Sequence, residues 1–284
     1  MLSATPRQPR DVTDRFVHLG RLRFHYRDCG PPAAPPVMVL HGIMGHAREW
    51  DVLTEALARR FRVLVVDQRG HGETDWAEEY TAAALSGDLA ALIELLGLPP
   101  VRLIGHSMGG MAAALCAADR PDLVDRVVLV DIGPDSLRTE FGTQLQPLLT
   151  SMGHASYATV DEALDEWLAG NPLARPSLLR HDVEHCLVRR ADGRLGWRFD
   201  ALRLARFGID GVSEQQLWDS IDRIIAPTLV IRGAHSELLA PATARMMLRR
   251  LRQATLVEIP DAGHDLGVEQ PEAVAAATLD FLGA

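Results

Sequence analysis

Val101-Arg102-Leu103-Ile104-Gly105-His106-Ser107-Met108-Gly109-Gly110 runs directly into Met111-Ala112-Ala113-Ala114-Leu115-Cys116-Ala117-Ala118. The first four residues, mostly apolar, read as a short buried strand, and the last eight read as a helix. Gly-x-Ser-x-Gly stands between them, and strand, five-residue turn and helix is the context that holds a serine on a sharp, strained elbow. A turn that tight leaves no room for side chains beside Ser107, which accounts for Gly105 and Gly109. It lifts the Ser107 hydroxyl above the sheet edge, at the positive end of a helix. A glycine-rich turn that merely contains a serine is the competing reading, and the rest of the chain decides between them.

Outward from this stretch, continuous apolar runs recur at Val37–Leu40, Val63–Asp67, Val127–Asp131, Thr228–Arg232 and Thr255–Ile259. Such runs mark strands buried on both faces. Helical patterns fall between them, near residues 48–60, 84–96, 243–252 and 271–281, and Arg15 to Tyr26 alternates as one strand entering the sheet. Strands alternating with helices predict an α/β fold with a mostly parallel, doubly wound sheet. The rhythm breaks over residues 134–222. Helical patterns such as 160–169 persist there, with Pro172, Pro176 and a turn at Ala191-Asp192-Gly193, but no buried-strand run is present. The expected division is a core over 1–133, an inserted helical lid over 134–222, and a second part of the core over 223–284.

Bulk properties narrow the function. With 284 residues, 47% hydrophobic and 24% charged, the chain has room for one large α/β domain with an insertion. A net charge of −9 argues against a general nucleic-acid binder, which needs a basic face. The chain has no lysine, which removes Schiff-base chemistry and a Walker A loop. No apolar run reaches the roughly 18 residues that a membrane span requires. Met1 to Phe16 is polar and lacks the apolar core of a secretory signal. Cys29, Cys116 and Cys186 are odd in number and far apart, so neither a disulfide framework nor a zinc knuckle is indicated. The expectation is a cytoplasmic protein, monomer or homodimer, that acts on a small molecule without cofactor or metal.

Four ordered motifs close successive strands: His41-Gly42-Ile43-Met44-Gly45, Asp67-Gln68-Arg69-Gly70-His71-Gly72, the Ser107 elbow, and Gly263-His264 before the last helix. Together they resemble the α/β-hydrolase superfamily over nearly the whole chain outside the insertion. The resemblance implies a serine hydrolase, with Ser107 as nucleophile and His264 as the base that takes its proton. Backbone N–H groups of Ile43 and Met108 would receive the oxyanion, leaving the Ile43 side chain to line the acyl pocket. His41 and His106 read as packing or hydrogen-bonding neighbours, His106 close enough to touch substrate. The acid has two candidates. Many relatives carry it just past the glycine that ends the seventh strand, but here Gly233-Ala234-His235-Ser236-Glu237 places Ser236 where an aspartate is common. A branch with a similar Arg-Gly-x-x-Ser stretch includes the amidohydrolase that cleaves acetamidomethylene-succinate in vitamin B6 breakdown, and it uses the aspartate ending strand six. By that resemblance Asp131 is the acid, with Glu237 as the alternative.

Other features carry competing readings. Asp67 reads as a structural turn residue. His181-Asp182-Val183-Glu184-His185 matches a zinc-peptidase pattern, but a catalytic zinc needs a third ligand that nothing here supplies. Arginines crowd the stretch from Gly170 to Phe207, among them Arg175, Arg190 and Arg198. They read as solvated lid surface, or as one or two inward cations pairing a substrate carboxylate. Trp167, Trp197, Phe199 and Phe207 read as lid core, with Trp197 also a candidate for substrate contact. The expected reaction is hydrolysis of a carboxylic ester or activated amide or enamide through an acyl-enzyme. Cleavage of carbon–carbon bonds in ring-fission products, lyase or transferase chemistry, and a non-catalytic ligand receptor are the alternatives.

Overall fold

The computed structural model describes residues 12–206 and 213–283. Strands β1 (Thr13–Leu19), β2 (Leu22–Cys29), β3 (Pro36–Leu40), β4 (Arg62–Val66), β5 (Val101–His106) and β6 (Val124–Val130) precede a small hairpin, β7 (Leu187–Arg189) and β8 (Leu195–Trp197). Strands β9 (Thr228–Gly233) and β10 (Ala254–Ile259) follow it. Helices α1 (Asp51–Leu57), α2 (Ala82–Leu95) and α3 (Met108–Asp119) connect the first strands. The insertion holds α4 (Glu140–His154), α5 (Val160–Gly170), α6 (Pro176–Cys186) and α7 (Ala201–Leu204), and α8 (Glu214–Arg223), α9 (Pro241–Arg250), α10 (Leu266–Glu269) and α11 (Pro271–Gly283) complete the chain.

The eight-stranded sheet runs β1-β2-β4-β3-β5-β6-β9-β10, antiparallel at β1-β2 and β2-β4 and parallel from there on. Alternation along each parallel strand divides the core between two faces. Val37, Val39, Val63, Val65, Val128 and Val130 pack against Leu53 and Leu57 of α1 and Val274 of α11. Met38, Leu40, Leu64, Val127 and Leu129 meet α2 and α3 on the other side. Both faces are covered, which is why these strands are apolar throughout. Each such side chain, fully buried, contributes about 1.5–3 kcal/mol of transfer free energy. The three cysteines are not joined in disulfides, and no helix among the described residues is long and apolar enough to cross a membrane.

Four expectations are corrected. Arg15 to Tyr26 is not one strand but the β1-β2 hairpin, with Leu19 paired to Leu22 and Gly20 at φ 59° in the turn. Strict alternation on both sides of Gly20-Arg21 masks the break. The helix expected over 48–60 is a short 3₁₀ turn at Ala47–Trp50 followed by α1, which ends at Leu57. The insertion is not wholly helical: Ala191-Asp192-Gly193 turns the β7-β8 hairpin, and its three-residue strands are too short to leave a buried run. Finally, α8 does not stand with the insertion. Leu217 and Ile221, one turn apart, bury into the core, and the helix ends in an Arg223–Asp119 ion pair with α3. Between β6 and α8 the described residues form α4 to α7 and the β7-β8 hairpin. Phe207 lies outside the described residues.

Candidate active site

The elbow forms as its glycines dictate. A Cβ on Gly105 would sit 2.4 Å from the Gly109 carbonyl oxygen, and one on Gly109 would sit 2.6 Å from that of His41. Ser107 is held at φ 50°, a left-handed conformation that is strained for a residue with a side chain. Its N–H bonds the Val130 carbonyl at 3.1 Å, tying the turn to the neighbouring strand, and Met108 opens α3. The first N–H groups of a helix have no partner within it, so that of Met108 is not used by α3.

His264 lies in the loop after β10, with Nε2 3.1 Å from Ser107 Oγ and Nδ1 2.8 Å from Asp131 Oδ2. Asp131 ends β6 at φ 48°, fully buried. A buried carboxylate needs donors to remain ionised, and three converge on this one. Gly233 N–H donates to Oδ1 at 3.0 Å, while the Ser236 hydroxyl, at 2.5 Å, and His264 share Oδ2. The Ser236 oxygen in turn accepts N–H bonds from Leu238 and Leu239, which aims its proton at Asp131. Thus Ser236, in the loop after β9, braces the carboxylate that follows the neighbouring strand β6. Glu237 stands exposed. Burial works against the His264 imidazolium, but the hydrogen bond and charge of Asp131 outweigh it and raise its pKa above the ordinary value. A hydroxyl, an imidazole and a carboxylate in this order can pass the hydroxyl proton to Nε2 while the carboxylate holds Nδ1–H.

His41 is a brace for the loop that follows β3. Its Nδ1 donates to the Gly42 carbonyl at 2.7 Å, and its Nε2 accepts the Gln68 N–H at 3.0 Å. Burial lowers its pKa to about 4 and keeps it neutral, as that pairing requires. Asp67 is likewise structural, accepting from the Ala47 and Glu73 N–H groups and pairing with His25. His106 lies beside the base, its ring centroid 4.7 Å from that of His264 and its Nε2 donating to the His264 carbonyl at 2.9 Å.

Ser107 and His264 open on a cavity of about 270 Å³, whose wall includes Ile43, His106 and Met108. The insertion adds Leu145, Leu148 and Met152 from α4, Trp167 from α5, and Leu179 and Asp182 from α6. Trp197 is not among the lining residues. It is buried against Tyr157, Trp167 and Phe199, so it supports Trp167 rather than touching the cavity. No arginine among the described residues lines the cavity either. Arg175 pairs with Glu272, Arg180 with Asp161 and Arg203 with Asp200, while Arg190 and Arg198 bond backbone carbonyls. Apart from its histidines, the titratable groups that line it are carboxyls: Glu49, Asp182, Asp265 and Glu166. Sequence reasoning missed these, because nothing in the spacing of Glu49 or Asp182 distinguishes them from other polar helix positions.

His181 and His185 sit a turn apart, but His181 Nε2 bonds Asp51 and His185 Nδ1 bonds the His181 carbonyl. His46, Asp182 and Cys186 bring three donor atoms within 4.8 Å of one another. His46 Nδ1 accepts the Arg48 N–H and its Nε2 donates to the Asp182 carbonyl, so neither nitrogen keeps a lone pair for a metal.

Comparison with known proteins agrees with this geometry. The chain is 31% identical to the sn-1-specific diacylglycerol lipase ABHD11 of Mus musculus, over 89% of this chain and 82% of that one. It is 29% identical to the 2-(acetamidomethylene)succinate hydrolase of Mesorhizobium japonicum, over 95% of each. A crystal structure of E-2-(acetamidomethylene)succinate hydrolase superposes with a TM-score of 0.84 at 26% identity, covering 96% of this chain and all of that one. The sequence profile of the alpha/beta hydrolase family matches residues 37–277, from β3 to the last helix, with every strand end that builds the site inside it. The chain belongs to the α/β hydrolase family.

Proposed function

We propose that this hydrolase is a serine acyl hydrolase whose substrate is a small ester or activated amide with an uncharged, apolar acyl group. The observation that carries the reading is the hydrogen-bonded chain from Ser107 through His264 to Asp131, opening on a largely apolar cavity. His264 Nε2 takes the Ser107 proton as Oγ attacks the substrate carbonyl carbon. The N–H groups of Ile43 and Met108 receive the developing oxyanion, and Asp131 stabilises the imidazolium. His264 then gives its proton to the leaving group, and water repeats the sequence on the acyl-enzyme. The segment from α4 to α7 acts as the lid, its leucines and Met152 forming the far wall of the acyl site.

The wall of this cavity bears on the acyl group it accepts. A substrate carboxylate in this cavity would meet Asp182 and Asp265, with no described arginine to pair it. Two chromogenic esters of equal chain length test the reading, p-nitrophenyl butyrate and mono-p-nitrophenyl succinate. The neutral ester should have at least about a tenfold higher kcat/KM, the scale of one unpaired buried charge contact. Ser107→Ala should abolish both activities. Preference for the succinate ester would overturn the substrate class, and activity surviving in Ser107→Ala would overturn the mechanism.

A further inference from the structure

One largely buried carboxyl of the cavity wall has no part in the serine mechanism. Glu49 lies in the 3₁₀ turn Ala47–Trp50, against the cavity and below the two histidines. Its Oε1 is 3.7 Å from His106 Nδ1. The Nε2 of His106 bonds the His264 carbonyl, an acceptor only, so Nε2 carries the ring proton and Nδ1 presents a bare lone pair. That Nδ1 is buried and has no hydrogen-bond partner, and His106 is 3% exposed. An ionised carboxylate facing this lone pair would set two acceptors against each other in a dry corner. A neutral carboxylic acid there supplies the missing donor.

We propose that Glu49 is a positioning residue whose carboxylic acid donates to His106 Nδ1, fixing the tautomer that binds the His264 carbonyl and so holding the loop that carries the base. The proposal rests on the assignment of Ser107 and His264 as the reacting pair. A shift of about 1 Å in the Glu49 side chain closes the 3.7 Å gap to a hydrogen bond, and the next hydrogen bond reaches the backbone of the residue that must meet Ser107 Oγ. The surroundings keep the acid neutral. Burial and the charges of Asp182 from α6 and Asp265 from the loop before α10 push the Glu49 carboxyl well above its usual range, with His46 and the His46 N–H opposing them. His106 is pushed the other way, well below its usual range, by burial and by the neighbouring His264, so it does not take the proton as a cation. Other titratable groups at this corner are His181 on α6, tied to Asp51, Cys186 at the end of α6, its thiol pushed up to about 11 by burial, and Glu269 on α10, raised to about 7 by burial and by Asp265. Arg48 is turned away toward Asp14.

The test separates positioning from mere packing. Glu49→Leu fills similar space without a donor, and Glu49→Gln keeps a donor that cannot ionise. Glu49→Leu should lower kcat about 10- to 100-fold with KM little changed, the scale on which lost outer hydrogen bonds act. Glu49→Gln should recover most of that loss. Its alkaline profile also distinguishes it: wild-type kcat falls as Glu49 ionises and the bridging proton is lost, whereas Glu49→Gln should hold its kcat through that range. The ¹⁵N shifts of His106 in the wild type should report a protonated Nε2 and a bare Nδ1. Wild-type kcat in Glu49→Leu, a Glu49→Gln as impaired as Glu49→Leu, an unchanged alkaline limb in Glu49→Gln, or a His106 protonated at Nδ1 alone would each overturn the assignment. Labelling of Ser107 by a fluorophosphonate keeps the two claims apart. Wild-type protein that fails to label contradicts the serine mechanism itself, while normal labelling with any of those four results contradicts only the role of Glu49.

Discussion

The loops at the carboxyl ends of the parallel strands and the inserted segment from α4 to α7 face each other across one cavity, and they are built by opposite rules. Among the described residues, the non-glycine residues at positive φ are Met44, Ser107, Asp131 and Asp261, all in loops that follow β3, β5, β6 and β10. Strain of about 1–3 kcal/mol at each persists only where the surroundings over-determine it. Here backbone bonds from Ser107 to Val130 and from Asp131 to Ile231 lock the turns to adjacent strands. The insertion contributes ordinary helices whose apolar sides form the opposite wall. Rigid, strained strand ends fix where bonds break, and the helices decide what fits.

That division predicts a graded series of effects. Asp131→Asn should be the most damaging change at the strand ends outside Ser107 and His264. In a serine protease the equivalent change costs about 10⁴ in turnover, and here kcat should fall at least about 10² with KM little changed. The same variant should shift the acid limb of kcat/KM. Asp131 raises the His264 pKa, and His264 acts as a base only when neutral, so wild-type activity falls as pH drops through that raised value. Removing the carboxylate should move the limb to lower pH. An unmoved limb would mean that His264 does not depend on Asp131. Glu237→Gln, by contrast, should stay within about tenfold of wild type, the scale of a distant or surface effect.

Ser236→Ala comes next. It removes one donor from Asp131 and leaves the Leu238 and Leu239 N–H groups without their acceptor. A loss of about tenfold in kcat is expected, together with a lower melting temperature from the unsatisfied amides. A kcat equal to wild type would show that Asp131 is held without Ser236. The smallest effect on the chemistry should come from the insertion. Leu145→Ala with Met152→Ala widens the acyl wall, so kcat/KM should shift toward longer acyl chains by a few-fold per methylene gained, about 1 kcal/mol each. Unchanged chain-length preference would place the acyl group elsewhere in the cavity.

The same contrast explains what the sequence could reveal. The parallel strands are buried on both faces, so Val37–Leu40 and Val127–Val130 are unbroken apolar runs, and the motifs closing them need particular residue types at particular spacings. Gly105, Ser107 and Gly109 are legible because a side chain at either glycine collides with backbone. Asp131 is less legible: only the adjacency of β6 and β9, which no local pattern carries, brings its carboxylate to Ser236 and His264. The insertion has no such constraint. Its arginines look alike in sequence whether they face water or substrate, and here Arg175, Arg180 and Arg203 pair with carboxylates while Arg190 and Arg198 bond carbonyls, none of them on the cavity wall. Trp197 is as aromatic as Trp167, yet packing order alone puts Trp167 on the cavity and Trp197 behind it. Glu49 carries its role through a 3.7 Å approach to His106 across the fold, which no local pattern encodes.

The central claim is that Ser107 forms the acyl-enzyme, and intact-protein mass spectrometry after treatment with a fluorophosphonate tests it most directly. Wild-type protein should gain one adduct, mapped to Ser107 by peptide sequencing, and Asp131→Asn should gain it far more slowly. Ser107→Ala, shown to be folded by circular dichroism, should gain none. An adduct formed on Ser107→Ala at the wild-type rate, or mapped in the wild type to any other residue, would contradict the account.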